Sequence, residues 1–247
     1  MTTNRRRVAL VTGAAAGLGQ AFAQRLAVDG HDIVAVDLRG SSETVAQVEA
    51  AGRRCLAIEC DITDEDAVTR MNETVLSEFD GVDVLVNNAG IYPKGDLATL
   101  ELADWRKVFA VNVEGAFLVT RAILPTMTDR RWGRIVFTSS VSFQAGSPGF
   151  PHYVSTKGAL IGLMHALATE LAESGITVNA VAPSIVETES TRRISAEDDF
   201  TITKSLQAIH RTQQPSDVVG ALSFLVSDDA AFMTGQTLVI DGGLVRT

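Results

Sequence analysis

The sequence predicts an α/β fold: a doubly wound parallel sheet of about seven strands with helices on both faces. Three observations predict it. Short runs rich in Val and Ile alternate with longer helical segments from one end of the 247 residues to the other. The runs are continuously apolar rather than alternating, as in strands buried on both faces. No linker, low-complexity tract or repeat interrupts the alternation, so residues 1–247 are expected to form a single domain. Strands and helices in strict alternation call for right-handed crossovers, which set helices on both sides of one parallel sheet.

Each element follows in order. VALVT, from Val8 to Thr12, feeds the glycine-rich turn TGAAAGLG and a helix starting near Leu18. DIVAVD (Asp32 to Asp37) precedes a helical stretch through Ala51. CLAIEC (Cys55 to Cys60) precedes DITDEDAVTRMNETVLSEF, whose acidic first turn suits the positive end of a helix dipole. Then come VDVLVNN, a long helix from about Leu102 to Met127, GRIVFTSS, a helix opening PHYVSTKGAL, ITVNAVAP and QTLVIDGG. The least regular stretch, 184–215, follows a strand's C-terminal end, where open α/β sheets bind ligands. Its polar composition predicts a mobile lid over a cleft.

Composition narrows the classes. With 46% apolar residues, 21% charged residues and twenty glycines, the chain can bury a substantial core. The net charge of −9 argues against nonspecific nucleic-acid binding, which depends on Lys and Arg neutralising phosphates. Arg5 to Arg7, the basic cluster, reads as a solvated tail. Cys55 and Cys60 are five apart, on opposite faces of a strand, and read as reduced, mostly buried thiols. His31, His152, His165 and His210 lack metal-site spacing, so no metal is expected. His165, inside an apolar helix, is expected in the core or at an interface. No apolar run reaches the roughly eighteen residues of a membrane span, and no signal-peptide core opens the chain. The expectation is a cytoplasmic protein without nucleic-acid or membrane partners.

The chemistry begins at the first strand–helix junction. Glycines there allow a tight turn and let backbone approach a pyrophosphate at the helix's positive end. Asp37 closes the second strand eighteen residues after Gly19, where a carboxylate can accept hydrogen bonds from an adenosine ribose. Arg39, two residues on, is a feature that would suit a 2′-phosphate instead. Together the loop and the acid indicate dinucleotide binding. Further along, Tyr153 and Lys157 lie one helical turn apart, and Ser140 ends a strand thirteen residues before the tyrosine. An ammonium beside a phenol favours the tyrosinate. Lowering a tyrosine pKa from about 10 to about 7 takes roughly 4 kcal/mol. One charge about 4 Å away supplies about that at an effective dielectric near 20.

The loop spacing is T-G-x-x-x-G-x-G, and the chain resembles the short-chain dehydrogenase/reductase family over essentially its whole length. The resemblance rests on TGAAAGLG, NNAG (Asn87 to Gly90), Asn112 in VNVEG, TSS ending at Ser140, YVSTK (Tyr153 to Lys157), VNAVAP and TGQTLVIDGG. It implies a Rossmann-like fold, NAD as cofactor, a homotetramer, and an alcohol dehydrogenase or ketone reductase. Tyr153 becomes the general acid/base, Ser140 the holder of the substrate oxygen, and Lys157 the group that lowers the tyrosine pKa and binds the nicotinamide ribose. Asn112 supports Lys157 through a water relay. Gly13, Gly17, Leu18 and Gly19 line the diphosphate and Asp37 the adenosine ribose. Asp61 and Ile62 bracket adenine, Asn88, Ala89 and Gly90 flank the ribose, and Pro183, Val186 and Thr188 touch the carboxamide. One departure is Ser184, where the family usually has glycine.

For the substrate, NNAGIYP and APS resemble the branch that oxidises small aromatic secondary alcohols, such as phenylethanol dehydrogenases; the C-terminal run is similar to pyridoxal dehydrogenases. Tyr92, Ser140, Ser142, Phe143 and Phe150 are the expected pocket residues, together with the lid. The alternatives are a 3-oxoacyl reductase, a polyol or sugar dehydrogenase and, from another class, a nucleotide-binding sensor without turnover.

Overall fold

β1 (Val8–Thr12), β2 (Asp32–Asp37) and β3 (Cys55–Glu59) run side by side in one direction, as do β4 (Val84–Asn87), β5 (Gly133–Thr138), β6 (Ile176–Pro183) and β7 (Thr237–Ile240). The computed structural model describes residues 6–246. All seven strands join one parallel sheet in the order β3-β2-β1-β4-β5-β6-β7. The expected fold class and strand count therefore hold. The order reverses between β1 and β4, so a crevice opens above their C-terminal ends.

The helices are α1 (Gly17–Val28), α2 (Ser42–Ala50), α3 (Glu65–Phe79), α4 (Leu102–Phe109), α5 (Gly115–Arg130), α6 (Ser142–Ala145), α7 (Pro151–Glu170), α8 (Glu189–Ile194), α9 (Glu197–Leu206) and α10 (Pro215–Val226). Period-two alternation sends β1 residues to opposite layers. Val8 and Leu10 pack with Met71 of α3, Ile123 of α5 and Met164 of α7. Ala9 and Val11 pack with Phe22 of α1 and Leu222 of α10. Cys60 belongs to the first layer and Cys55 packs on the second, the opposite-face placement expected of them. The acidic start of α3 works as predicted, because the Asp64 carboxylate accepts from the N–H groups of Asp66 and Ala67.

Four expectations need correction. The long helix near Leu102 is two helices joined by a π-helical turn, Ala110–Glu114. Together they make a rod, Leu102–Arg130, that is long and apolar enough by length and composition to cross a membrane. Its apolar face instead carries Ala116, Val119, Ile123 and Met127 into the core. Arg7 is no solvated tail: it pairs with Asp228 at 2.8 Å and lies 4.0 Å from the centre of the Trp132 ring. Arg5 lies outside the described residues. His165 is exposed on α7, which excludes the core placement. Finally, 184–215 is not irregular, since it holds α8 and α9.

Candidate active site

A cleft of about 1350 Å³ opens over the C-terminal ends of the strands. The nucleotide half is built first. Gly13 has φ +68°, and a Cβ at Gly19 would sit 2.1 Å from the Gly13 carbonyl oxygen, so the turn closes only with glycine. Thr12, which sequence reasoning passed over, pins this turn to the end of β4. Its hydroxyl accepts from the N–H groups of Asn88 and Ala89, both at 3.0 Å, and the Asn88 amide donates back to the Thr12 carbonyl at 3.0 Å. Thr44 of α2 adds a second anchor by donating to the Ala14 carbonyl at 2.6 Å.

The start of α1 fits an anionic group. Its N-cap, Ala16, supplies no side-chain acceptor and its first turn holds no acid, so the first backbone N–H groups lack a side-chain cap. Ala15, Ala16, Gly17, Leu18 and Gly19 all line the cleft beside them, as does Asp37. The Asp37 carboxylate accepts from Ala15 N–H at 2.9 Å and Arg39 N–H at 3.1 Å, so it also braces the loop. Asp61, Ile62, Asn88, Ala89, Gly90, Pro183, Val186 and Thr188 line the same cleft.

The catalytic half gathers on β5 and α7. Ser140, Tyr153 and Lys157 line the cleft together. Lys157 is buried, and its Nζ donates to the Thr138 carbonyl at 2.6 Å while lying 5.4 Å from the Tyr153 ring centre. Ser139 holds the same turn by donating to the Lys157 carbonyl at 3.0 Å. Asn112 lies behind the cleft in the π turn. Its Oδ1 accepts from Ile91 N–H at 2.8 Å, and its Nδ2 donates to the Ile91 carbonyl at 3.0 Å and to Thr156 Oγ1 at 3.1 Å. Asn112 therefore ties α7 to the loop after β4 directly.

Burial works against the expected lowering of the Tyr153 pKa. Burial pushes Tyr153 up to about 12; the hydrogen bond from Ser140 pulls the other way and Tyr92 pushes up further. Burial likewise brings Lys157 down to about 8. The ammonium donates a hydrogen bond to Thr138 and is itself desolvated, so burial shifts both partners of the pair toward their neutral forms.

Around the catalytic groups, Tyr92, Ser142 and Phe150 line the cleft. The Tyr92 and Tyr153 rings lie 5.8 Å apart and Phe150 lies 6.4 Å from Tyr153. Phe143 does not line the cleft, which corrects its expected role. Ser142 does, and the next helical residue turns about 100° away from it. The Tyr92 hydroxyl donates to Ser190 of α8 at 2.9 Å and so spans the cleft mouth.

Residues 13–245 match the family described as Enoyl-(Acyl carrier protein) reductase. The 3-oxoacyl-[acyl-carrier-protein] reductase of Synechocystis sp. is 38% identical, covering 99% of each chain. That of Staphylococcus aureus is 39% identical over 96% of this chain and 97% of its own. The chain belongs to the short-chain dehydrogenase/reductase family. It is also similar to a crystal structure of a putative short-chain alcohol dehydrogenase from Sinorhizobium meliloti, with a TM-score of 0.93 and 34% identity over 97% of this chain and 96% of that one. As a member of this family it is an oxidoreductase that binds a nicotinamide cofactor, and the glycine loop with the uncapped start of α1 is where the diphosphate fits.

Proposed function

We propose that the protein reduces a ketone to a secondary alcohol with NADH, and that the ketone is a 3-oxoacyl thioester. The observation that carries this reading is the gathering of Ser140, Tyr153 and Lys157 on one wall of the cleft, where burial pushes the Tyr153 phenol up and suits it to donate a proton. A bound reduced nicotinamide supplies the hydride. Ser140 holds the substrate oxygen, and Tyr153 gives its proton to that oxygen as the carbon–hydrogen bond forms, which completes the alcohol. Lys157 orients the ribose and offsets the charge left on the phenol. Asp37 supports NAD over NADP, since its carboxylate suits ribose hydroxyls and repels a phosphate. The two reductases named above support the thioester.

The ring cluster of Tyr92, Phe150 and Tyr153 favours a second reading, a small aromatic alcohol and its ketone. One assay separates the two. NADH oxidation is followed with acetoacetyl-coenzyme A, acetophenone and a ketose at equal concentration. The thioester should give the highest kcat/KM; a higher value for acetophenone replaces it with the aromatic reading, and a preference for the ketose refutes both. We further propose the homotetramer that the family resemblance implies, covering exposed apolar residues such as Phe117 on α5. Sedimentation of the purified chain at the monomer mass would refute it.

A further inference from the structure

The segment holding α8 and α9 hangs from a polar knot in which two buried glutamines meet the half-buried Ser184. The Ser184 hydroxyl donates to Gln213 Oε1 at 3.0 Å and accepts from Gln207 Nε2 at 3.2 Å. Its backbone N–H also donates to Gln213 Oε1, at 2.9 Å. Gln207 Nε2 reaches on to the Asp241 carbonyl at 2.8 Å, and Gln213 Nε2 to the Ile240 carbonyl at 2.6 Å. The two glutamines are 3% and 5% exposed. Gln207 is the residue that ends α9, and Gln213 pairs with Val186 in a β-bridge while its carbonyl accepts from Glu187 N–H at 2.8 Å. Both ends of the α8–α9 segment are thus fastened to the ends of β6 and β7.

Between those fastenings little is buried. No residue of α8 is buried and only Phe200 of α9 is. A segment with few buried contacts opens at low cost, while one tied by a buried hydrogen-bond network opens with its core. Pro183, Ser184, Ile185 and Val186 line the cleft, and the Pro183 carbonyl accepts from Ser140 Oγ at 3.4 Å. The knot therefore sits one residue from a carbonyl that touches the catalytic serine.

We propose that Ser184 is a positioning residue. Its hydroxyl fixes the Pro183–Val186 wall of the cofactor cleft in register with both hinges, so that residues 188–206 move alone while 207–213 stay with the sheet. The mobile element is shorter than the 184–215 stretch suggested by composition. Removing the hydroxyl orphans no partner, since Gln213 Oε1 keeps the Ser184 N–H and Gln207 Nε2 keeps the Asp241 carbonyl. The variant should fold, and what it loses is the hydroxyl's two hydrogen bonds, one donated and one accepted.

The test compares wild type, Ser184→Ala and Ser184→Thr in three measurements: NADH affinity by fluorescence titration, hydrogen exchange, and steady-state reduction. The turnover arm alone rests on the proposed ketone reduction; titration and exchange read the inference even where no substrate turns over. In wild type, amides of 188–206 should exchange far faster than those of 207–213. Ser184→Ala loses two hydrogen bonds, and it should weaken NADH roughly three- to tenfold and speed exchange in 207–213. Any fall in kcat should be smaller than the fall in NADH affinity, since Ser184 reaches the reacting groups only through Pro183. Ser184→Thr, which keeps the hydroxyl, should restore affinity and protection. Equal exchange across 188–213 in wild type overturns the proposal. So does an alanine variant with unchanged NADH affinity, whatever its melting temperature, or one that loses kcat alone.

Discussion

The wall that carries Tyr153 and the segment that faces it across the cleft are held by opposite means. On the wall, Lys157, Ser139, Thr156 and Asn112 are all buried, and each hydrogen-bonds a group on another element or loop. Across the cleft, α8 and α9 are held by exposed ion pairs: Arg192 with Glu187 and Glu197, and Arg193 with Glu189. Exposed pairs of this kind contribute little and weaken with salt. One side holds the helix that carries the proton donor through buried hydrogen bonds. The other can let substrate in. Chemistry and access are thus assigned to structures of different stability.

The largest expected effect attacks the wall. Tyr153→Phe removes the proton donor but leaves the cleft, so kcat should fall by about a hundredfold or more. NADH affinity, read by fluorescence titration, should barely change; a variant with near-normal turnover would break the contrast at its strongest point.

Next comes the nucleotide half. Wild type should prefer NAD to NADP by roughly a hundredfold in kcat/KM, about 2.7 kcal/mol. Asp37→Ser should lose most of that ratio, because the acceptor and the repulsion vanish together. The ratio is the readout, at fixed ionic strength, because Asp37 also braces Ala15 and its loss lowers both values. A ratio that does not move makes Arg39 the residue to examine.

The smallest effect belongs to the access side. Tyr92→Phe deletes the bond to Ser190 and keeps the ring. Substrate KM should change no more than about threefold, the scale of one exposed hydrogen bond, with kcat unchanged. A loss of kcat comparable to that of Tyr153→Phe would move Tyr92 into the chemistry and sharpen the boundary between the two sides.

The same contrast decides what could be read in the sequence. Strands buried on both faces announce themselves as unbroken Val and Ile runs, and the glycine loop, Ser140, Tyr153 and Lys157 are fixed by spacings within one or two elements. The π turn is different. It is stabilised by Asn112 reaching Ile91, twenty-one residues away, and no local pattern encodes that. Ser184 likewise finds its partners twenty-three and twenty-nine residues on. Arg7 looked like a tail because Trp132 and Asp228 lie far along the chain. The short helices α8 and α9 are polar and have weak apolar periodicity, so composition alone suggested irregular backbone. The tyrosine's protonation state is hard to read from sequence for a further reason. Charge proximity can be guessed from an i, i+4 pair, but the desolvation of both partners depends on what the fold stacks around them.

The central claim is that Tyr153, with Lys157 beside it, gives up a proton in the reducing direction. The most direct test is the pH dependence of kcat/KM for ketone reduction from pH 6 to 10.5. The account predicts a plateau at low pH and a single descending limb. The limb is centred near 8, where Lys157 loses its charge, because Tyr153, pushed up to about 12, stays protonated across the range. The residual activity of Tyr153→Phe should lie far below the plateau throughout. A rate that rises with pH would contradict the account, since a phenol that donates cannot gain from losing its proton.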